Sequence, residues 1–117
     1  MFTTLKLISN LPVGTIVAYD ASSQAWHSAT DSTQLIGVIS GEPFEDDDGV
    51  HYAAVTFGGA CHAIAARDIT AEGGGLAVEN GAAYVGTLDI NRAGEVAPVA
   101  YDQTPPVAGD LVLIFLR

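Results

Sequence analysis

The sequence predicts an all-β fold, a small β-barrel or β-sandwich of about eight to ten short strands. Three observations carry that expectation. Thirteen glycines and five prolines divide the 117 residues into short apolar runs. Those runs are rich in Val, Ile, Leu, Thr and aromatic residues, the side chains that suit a pleated, half-buried surface. Between them no apolar pattern of helical period is sustained. The best helical candidate, ARDITAEGG, meets Gly73-Gly74-Gly75 within two turns.

Taken in order, strands are expected near residues 4–9, 14–19, 24–29, 34–40, 50–57, 59–66, 75–79, 82–88, 95–101 and 110–116. Residues 1–11 read as an N-terminal strand or arm of a single domain over 1–117. The start, MFTTLKLISNLPVG, has no basic region ahead of an apolar one, so no secretion signal is expected. Turn chemistry falls where hairpins want it, at Asp48-Gly49, Gly58-Gly59, Glu79-Asn80-Gly81 and Asn91-Arg92-Ala93-Gly94. Val17-Ala18-Tyr19-Asp20 is echoed by Val99-Ala100-Tyr101-Asp102. Either two strands in pseudo-symmetric places or the abundance of Ala and Val would produce that echo.

The closing strand, LVLIFL, differs from the rest because both of its faces are apolar. Leu111, Leu113 and Phe115 point one way and Val112, Ile114 and Leu116 the other. A strand of this kind is buried twice, by its own core and by a second layer. That layer is either the second sheet of a sandwich or another subunit. Leu111, Leu113, Phe115, Val112 and Ile114 are therefore candidate interface residues. Trp26, in the polar segment SSQAWHSAT, is a further candidate, either as an interface anchor or ligand platform or as the lid of a small core.

Charge narrows the partners. Fourteen acids against four bases give a net charge of −10, and no Lys or Arg occurs between residues 7 and 66. Nucleic-acid binding requires basic side chains that displace counterions from phosphate, and anionic membranes are held by basic clusters. Neither partner is expected.

Residues with catalytic or metal-binding chemistry do not fall into working patterns. In EDDDG, residues 45–49, placing Gly49 at the glycine of a calcium loop sets Phe44 and Val55 at the two terminal ligand positions, where oxygen is needed. A solvated turn is the simpler reading. His27, His51 and His62 lack zinc spacing, although His51 and His62 fall on adjacent expected strands. Cys61 and His62 are neighbours in a strand and point to opposite faces, so the histidine is badly placed as a base. Cys61, the one cysteine, is expected to be inert and buried. AEGGGLAVENG lacks the Lys and the following helix of a phosphate loop. The expectation is a protein that is not an enzyme and needs no cofactor.

The order of features resembles small β modules of bacteriophage virion proteins, of the capsid decoration and head-fibre type. The matching positions are Gly14, Val17, Asp20, Ile36, Gly37, Val38, Val55 and Gly58-Gly59, followed by ITAEGGGLAVENG, GEVAPVA and AGDLVLIFL. Together they cover most of residues 12–116. The resemblance implies a structural virion protein, usually a homotrimer, that is made in the host cytoplasm and binds the major capsid protein on the capsid exterior. A receptor- or glycan-binding module of a fibre or spike is the alternative it leaves open.

Overall fold

The computed structural model describes residues 2–30, 36–86, 94–99 and 103–117. The expected turn at 91–94 and the second copy of the Val-Ala-Tyr-Asp echo lie largely outside these residues. Eleven strands are described: β1 Phe2–Leu7, β2 Ile16–Asp20, β3 Ala25–Ser28, β4 Ile36–Ile39, β5 Phe44–Glu45, β6 His51–Thr56, β7 Gly59–Ile64, β8 Gly74–Glu79, β9 Ala82–Gly86, β10 Gly94–Val96 and β11 Leu111–Leu116. The fold is all-β, and it combines the two expected alternatives, because a closed barrel packs against a second sheet.

The barrel runs β1-β3-β2-β4-β6 and closes where β1 pairs antiparallel with β6, from Phe2↔Thr56 to Leu7↔His51. Its weakest seam is the parallel contact of β1 with β3, a single pair at Leu7↔Trp26 reinforced by the Ile8 amide donating to the Trp26 carbonyl at 2.9 Å. The other sheet is antiparallel in the order β7-β11-β10-β8-β9. It curls so that Ala65 bridges Ala83 and the Ala66 amide donates to the Ala83 carbonyl at 2.7 Å.

Side-chain alternation divides the core in two. Leu7, Val17, Ile39, Ala53 and Val55 fill the barrel. Ile16, Ala18, Ile36 and Val38 project from the outside of β2 and β4 onto Leu76, Val78, Val96, Val112, Ile114 and Leu116 of the second sheet. All four residues of β4 are therefore buried, each face by a different layer. Backbone bonds stitch the layers at their corners. Ile16 N–H donates to Gly81 O at 2.7 Å, Gly81 N–H to Ala29 O at 2.8 Å, and Ile64 N–H to Gly14 O at 2.9 Å.

Local chemistry sets the turns. Asn80 and Gly81 both have positive φ, 48° and 81°, as a two-residue hairpin of the right hand requires, and they join β8 to β9 at Glu79↔Ala82. The β2–β3 turn is held by Asp20. Its Oδ1 accepts from the Ser22 amide at 3.0 Å and the Ser22 hydroxyl at 2.8 Å, while Oδ2 accepts from Ser23 at 2.9 Å.

Three sequence expectations change. Gly58-Gly59 does not close a hairpin: with φ of 78° and 75° it carries the chain out of the barrel, so β7 pairs with β11 and not with β6. His51 and His62 consequently sit in different sheets and are not a cross-strand pair. The acidic turn does close a hairpin, but between β6 and the two-residue β5. Strand β4 pairs with the opposite end of β6, through Val38↔Thr56 and Ile39↔Val55.

Candidate interaction surface

The closing strand shows its two faces plainly. Val112, Ile114 and Leu116 are buried in the core between the layers. Of the interface candidates, Val112 and Ile114 are thus used up within this chain. The opposite face is uncovered: Leu111 is 54% exposed, Phe115 is 44% exposed, and Leu113 is half-buried between them. Among the described residues no second layer covers Leu111 and Phe115, in contrast to the double burial of β4.

Strand pairing widens this row into a patch. Leu111 lies opposite Ile64, Leu113 opposite His62 and Phe115 opposite Ala60 on β7. On the far side Phe115 pairs with Glu95 of β10, whose carboxylate stands 3.8 Å from Arg117. Val107, 50% exposed, belongs to the turn that feeds β11, where the Val107 amide donates to Asp110 Oδ2 at 3.1 Å. Two clefts flank the row. One, of about 330 Å³, lies against the loop that carries Pro98, Val99 and Pro106. The other, of about 360 Å³, separates Ala60, Cys61 and His62 from Ile39, Ser40 and Thr56 of the barrel. Leu111 and His62 line both clefts and form the ridge between them. Sequence reasoning weighed His62 only as a metal ligand or base, and did not assign Ala60, His62, Ile64 or Val107 to this surface. The alternation of Ala60, His62 and Ile64 is visible in GACHAI, but only the β7–β11 register places it beside the closing strand.

Trp26 lies elsewhere. It packs edge-on to Phe57, with centroids 5.2 Å apart, and against Tyr19 at 5.6 Å, as part of the barrel cluster. Its ring is a half-buried plug of the barrel and not an open platform. A more open aromatic pair is exposed Phe44 stacked on half-buried Tyr52, with centroids 5.7 Å apart and an interplanar angle of 24°.

In the acidic turn, Asp46 Oδ1 accepts from the Asp48 and Val50 amides, each at 2.9 Å. Its carboxylate is spent on the turn itself. Cys61 is half-buried and not fully buried as expected; partial burial pushes its thiol pKa up, away from the reactive thiolate. His62 points to the other face of β7. Among the described residues the surface offers packing, backbone and shape, with no nucleophile beside a base.

No family model matches the sequence, and no curated protein matches it. Among solved structures, the fold is similar to the crystal structure of the head fiber gp8.5 N base in bacteriophage phi29. The match covers 100% of this chain and 93% of that chain, with a TM-score of 0.68 and 15% identity. At that identity the likeness is one of fold. It extends over the whole chain, both layers included.

Proposed function

We propose that this chain is a structural protein of a phage virion, an accessory or decoration module that binds the outside of the head as a homotrimer. The observation that carries this reading is the uncovered apolar face of β11 on a fold shared, end to end, with a head-fibre base domain. Soluble monomers rarely leave such a row open, and a closed cyclic assembly covers it without leaving a second sticky surface. The number three comes from the resemblance to virion modules, not from the strand. The net charge of −10 disfavours genome contact and suits a protein on the outer side of the shell, with the major capsid protein as its partner. Synthesis would take place in the host cytoplasm.

The test has two arms. Sedimentation velocity at micromolar concentration should show a trimer. Phe115→Ser should weaken it, since a side chain of ~200 Å² that is 44% exposed carries about 90 Å² into the interface, or about 2 kcal/mol. Wild-type protein should co-sediment with empty phage heads and not with unassembled capsid protein. A monomer unaffected by Phe115→Ser and indifferent to heads would sink the reading. A receptor- or glycan-binding role has one observation in its favour, the exposed Phe44–Tyr52 stack; sugar-dependent loss of signal in a Phe44→Ala variant would support it.

A further inference from the structure

The barrel side of β7 is an open strand edge, and the hydrogen-bond pattern shows which of its backbone groups are free. The Ala65 amide donates to Asp110 O at 2.8 Å, on the β11 side, whereas the Ile64 amide donates away from β11, to Gly14 O. In an antiparallel pair the N–H and C=O of one residue point the same way and alternate along the strand. The even residues of β7 therefore turn their backbone groups away from β11. At Ile64 the Gly14 carbonyl meets them. At Ala60 and His62 no described residue does.

Among the described residues the other edges are partly met or carry a charge. β1 touches β3 only at Leu7↔Trp26, and the rest of that edge carries Lys6, while β9 is met at Ala83 by Ala65 and Ala66. β5 is two residues long, between Pro43 and the acids that follow it. β7 reads Gly-Ala-Cys-His-Ala-Ile and has none of the proline, lysine or fixed charge that commonly protects an exposed edge. Against it lies the cleft of about 360 Å³, lined on the barrel side by Ile39, Ser40 and Thr56 and also by Val13 and Leu111. A cleft beside a strand edge whose Ala60 and His62 backbone groups are unpaired is the geometry that accepts an added strand.

The charge around the slot selects the occupant. No Lys or Arg lines it, and exposed Glu42 and Asp110 follow or precede its lining residues Ser40 and Leu111 in the chain. We infer that β7 takes an extended segment of a partner protein, apolar on alternate residues and bearing Lys or Arg, which bonds to the N–H and C=O of Ala60 and His62. This inference does not depend on which assembly the chain serves.

The probe is a capped peptide, Lys-Val-Thr-Val-Thr-Val-Lys, followed by NMR of the labelled full chain. The amides of Ala60 and His62 should shift and exchange more slowly with solvent. A peptide with Glu in place of Lys, and one N-methylated at its valines, should each bind about tenfold more weakly or worse, the scale of one lost backbone or charge-assisted bond. Ala60→Pro removes an N–H that the fold itself does not use and should abolish the response. Ala60→Lys keeps that N–H, and its positive charge should weaken binding of the basic peptide alone. The inference is overturned if the basic peptide leaves Ala60 and His62 unmoved, or if the acidic peptide binds equally well. Protection of these two amides that rises with protein concentration, without peptide, would also overturn it, since a second copy would then occupy the edge.

Discussion

Gly37 should be irreplaceable, for a steric reason that the barrel interior supplies. It lies on β4 opposite Val17 of β2, and its inner side faces the barrel cluster. A Cβ placed there would lie 2.5 Å from Val55 Cγ1 and 2.7 Å from Phe57 Cε1. Its φ is ordinary, so alanine adds no backbone strain and the whole cost is overlap. Phe57 is half-buried and can swing aside, but Val55 is fully buried and cannot. Overpacking of this kind costs about 2 to 3 kcal/mol. For a domain of this size that lowers the melting temperature by roughly 8 to 12 °C. The assay is a double-mutant cycle by thermal and urea unfolding. Val55→Ala alone should cost about 2 kcal/mol through lost burial and the cavity it leaves. In that background Gly37→Ala should cost at least about 1 kcal/mol less than in the wild type, because the nearest obstacle is gone. A Gly37→Ala protein within about 0.5 kcal/mol of wild type would refute the reasoning, as would an equal cost in both backgrounds.

Other expectations follow from single contacts. Asp46→Ala should destabilise by about 1 kcal/mol in urea unfolding, because two backbone amides lose their acceptor; Asp47→Ser should stay within about 0.5 kcal/mol. Cys61 should react slowly with a thiol reagent at pH 8 in native protein and rapidly in urea, since burial raises its pKa. Fast native labelling would contradict its packing. Hydrogen bonds from Ser22, then Ser23, hold the Asp20 carboxyl below its ordinary value of 3.8. Its contribution to stability is therefore complete above that ordinary pKa and is lost as pH falls through the lowered one. NMR titration should place the Asp20 midpoint below 3.8 in wild type and nearer to it in a Ser22→Ala/Ser23→Ala variant.

Strands were legible because the signals that make them are local. The Asn80-Gly81 turn and the both-sided apolar runs at 36–39 and 111–116 name themselves in the sequence. What was not legible is which strand meets which. Gly58-Gly59 looks like a hairpin because two glycines at positive φ serve a tight turn and a change of sheet equally well. Only the demand that Ala63 and Ala65 reach the second core decides between them. β5 was missed because two residues carry no period, and it exists through its bonds to Tyr52 and His51. Trp26 was undecided for a related reason. A polar neighbourhood in sequence says nothing of Tyr19 of β2 and Phe57, just past β6, which enclose it.

The contrast between β4 and β11 is where sequence and structure together reach function. Both strands are apolar on every residue, so both need two covers. The fold supplies two to β4, the barrel interior and the second sheet. Among the described residues it supplies one to β11, where Ile114 is fully buried and its neighbour Phe115 remains 44% exposed. Had the outer face of β11 been designed for water, polar residues would stand at 111, 113 and 115, as alternation elsewhere permits: β6 alternates buried Ala53 and Val55 with less buried Ala54 and Thr56. Instead Leu111 and Phe115 stay exposed and Leu113 half-buried, with no second layer over them among the described residues. That apolar face, bordered by the open edge of β7, is the feature on which the proposed assembly rests.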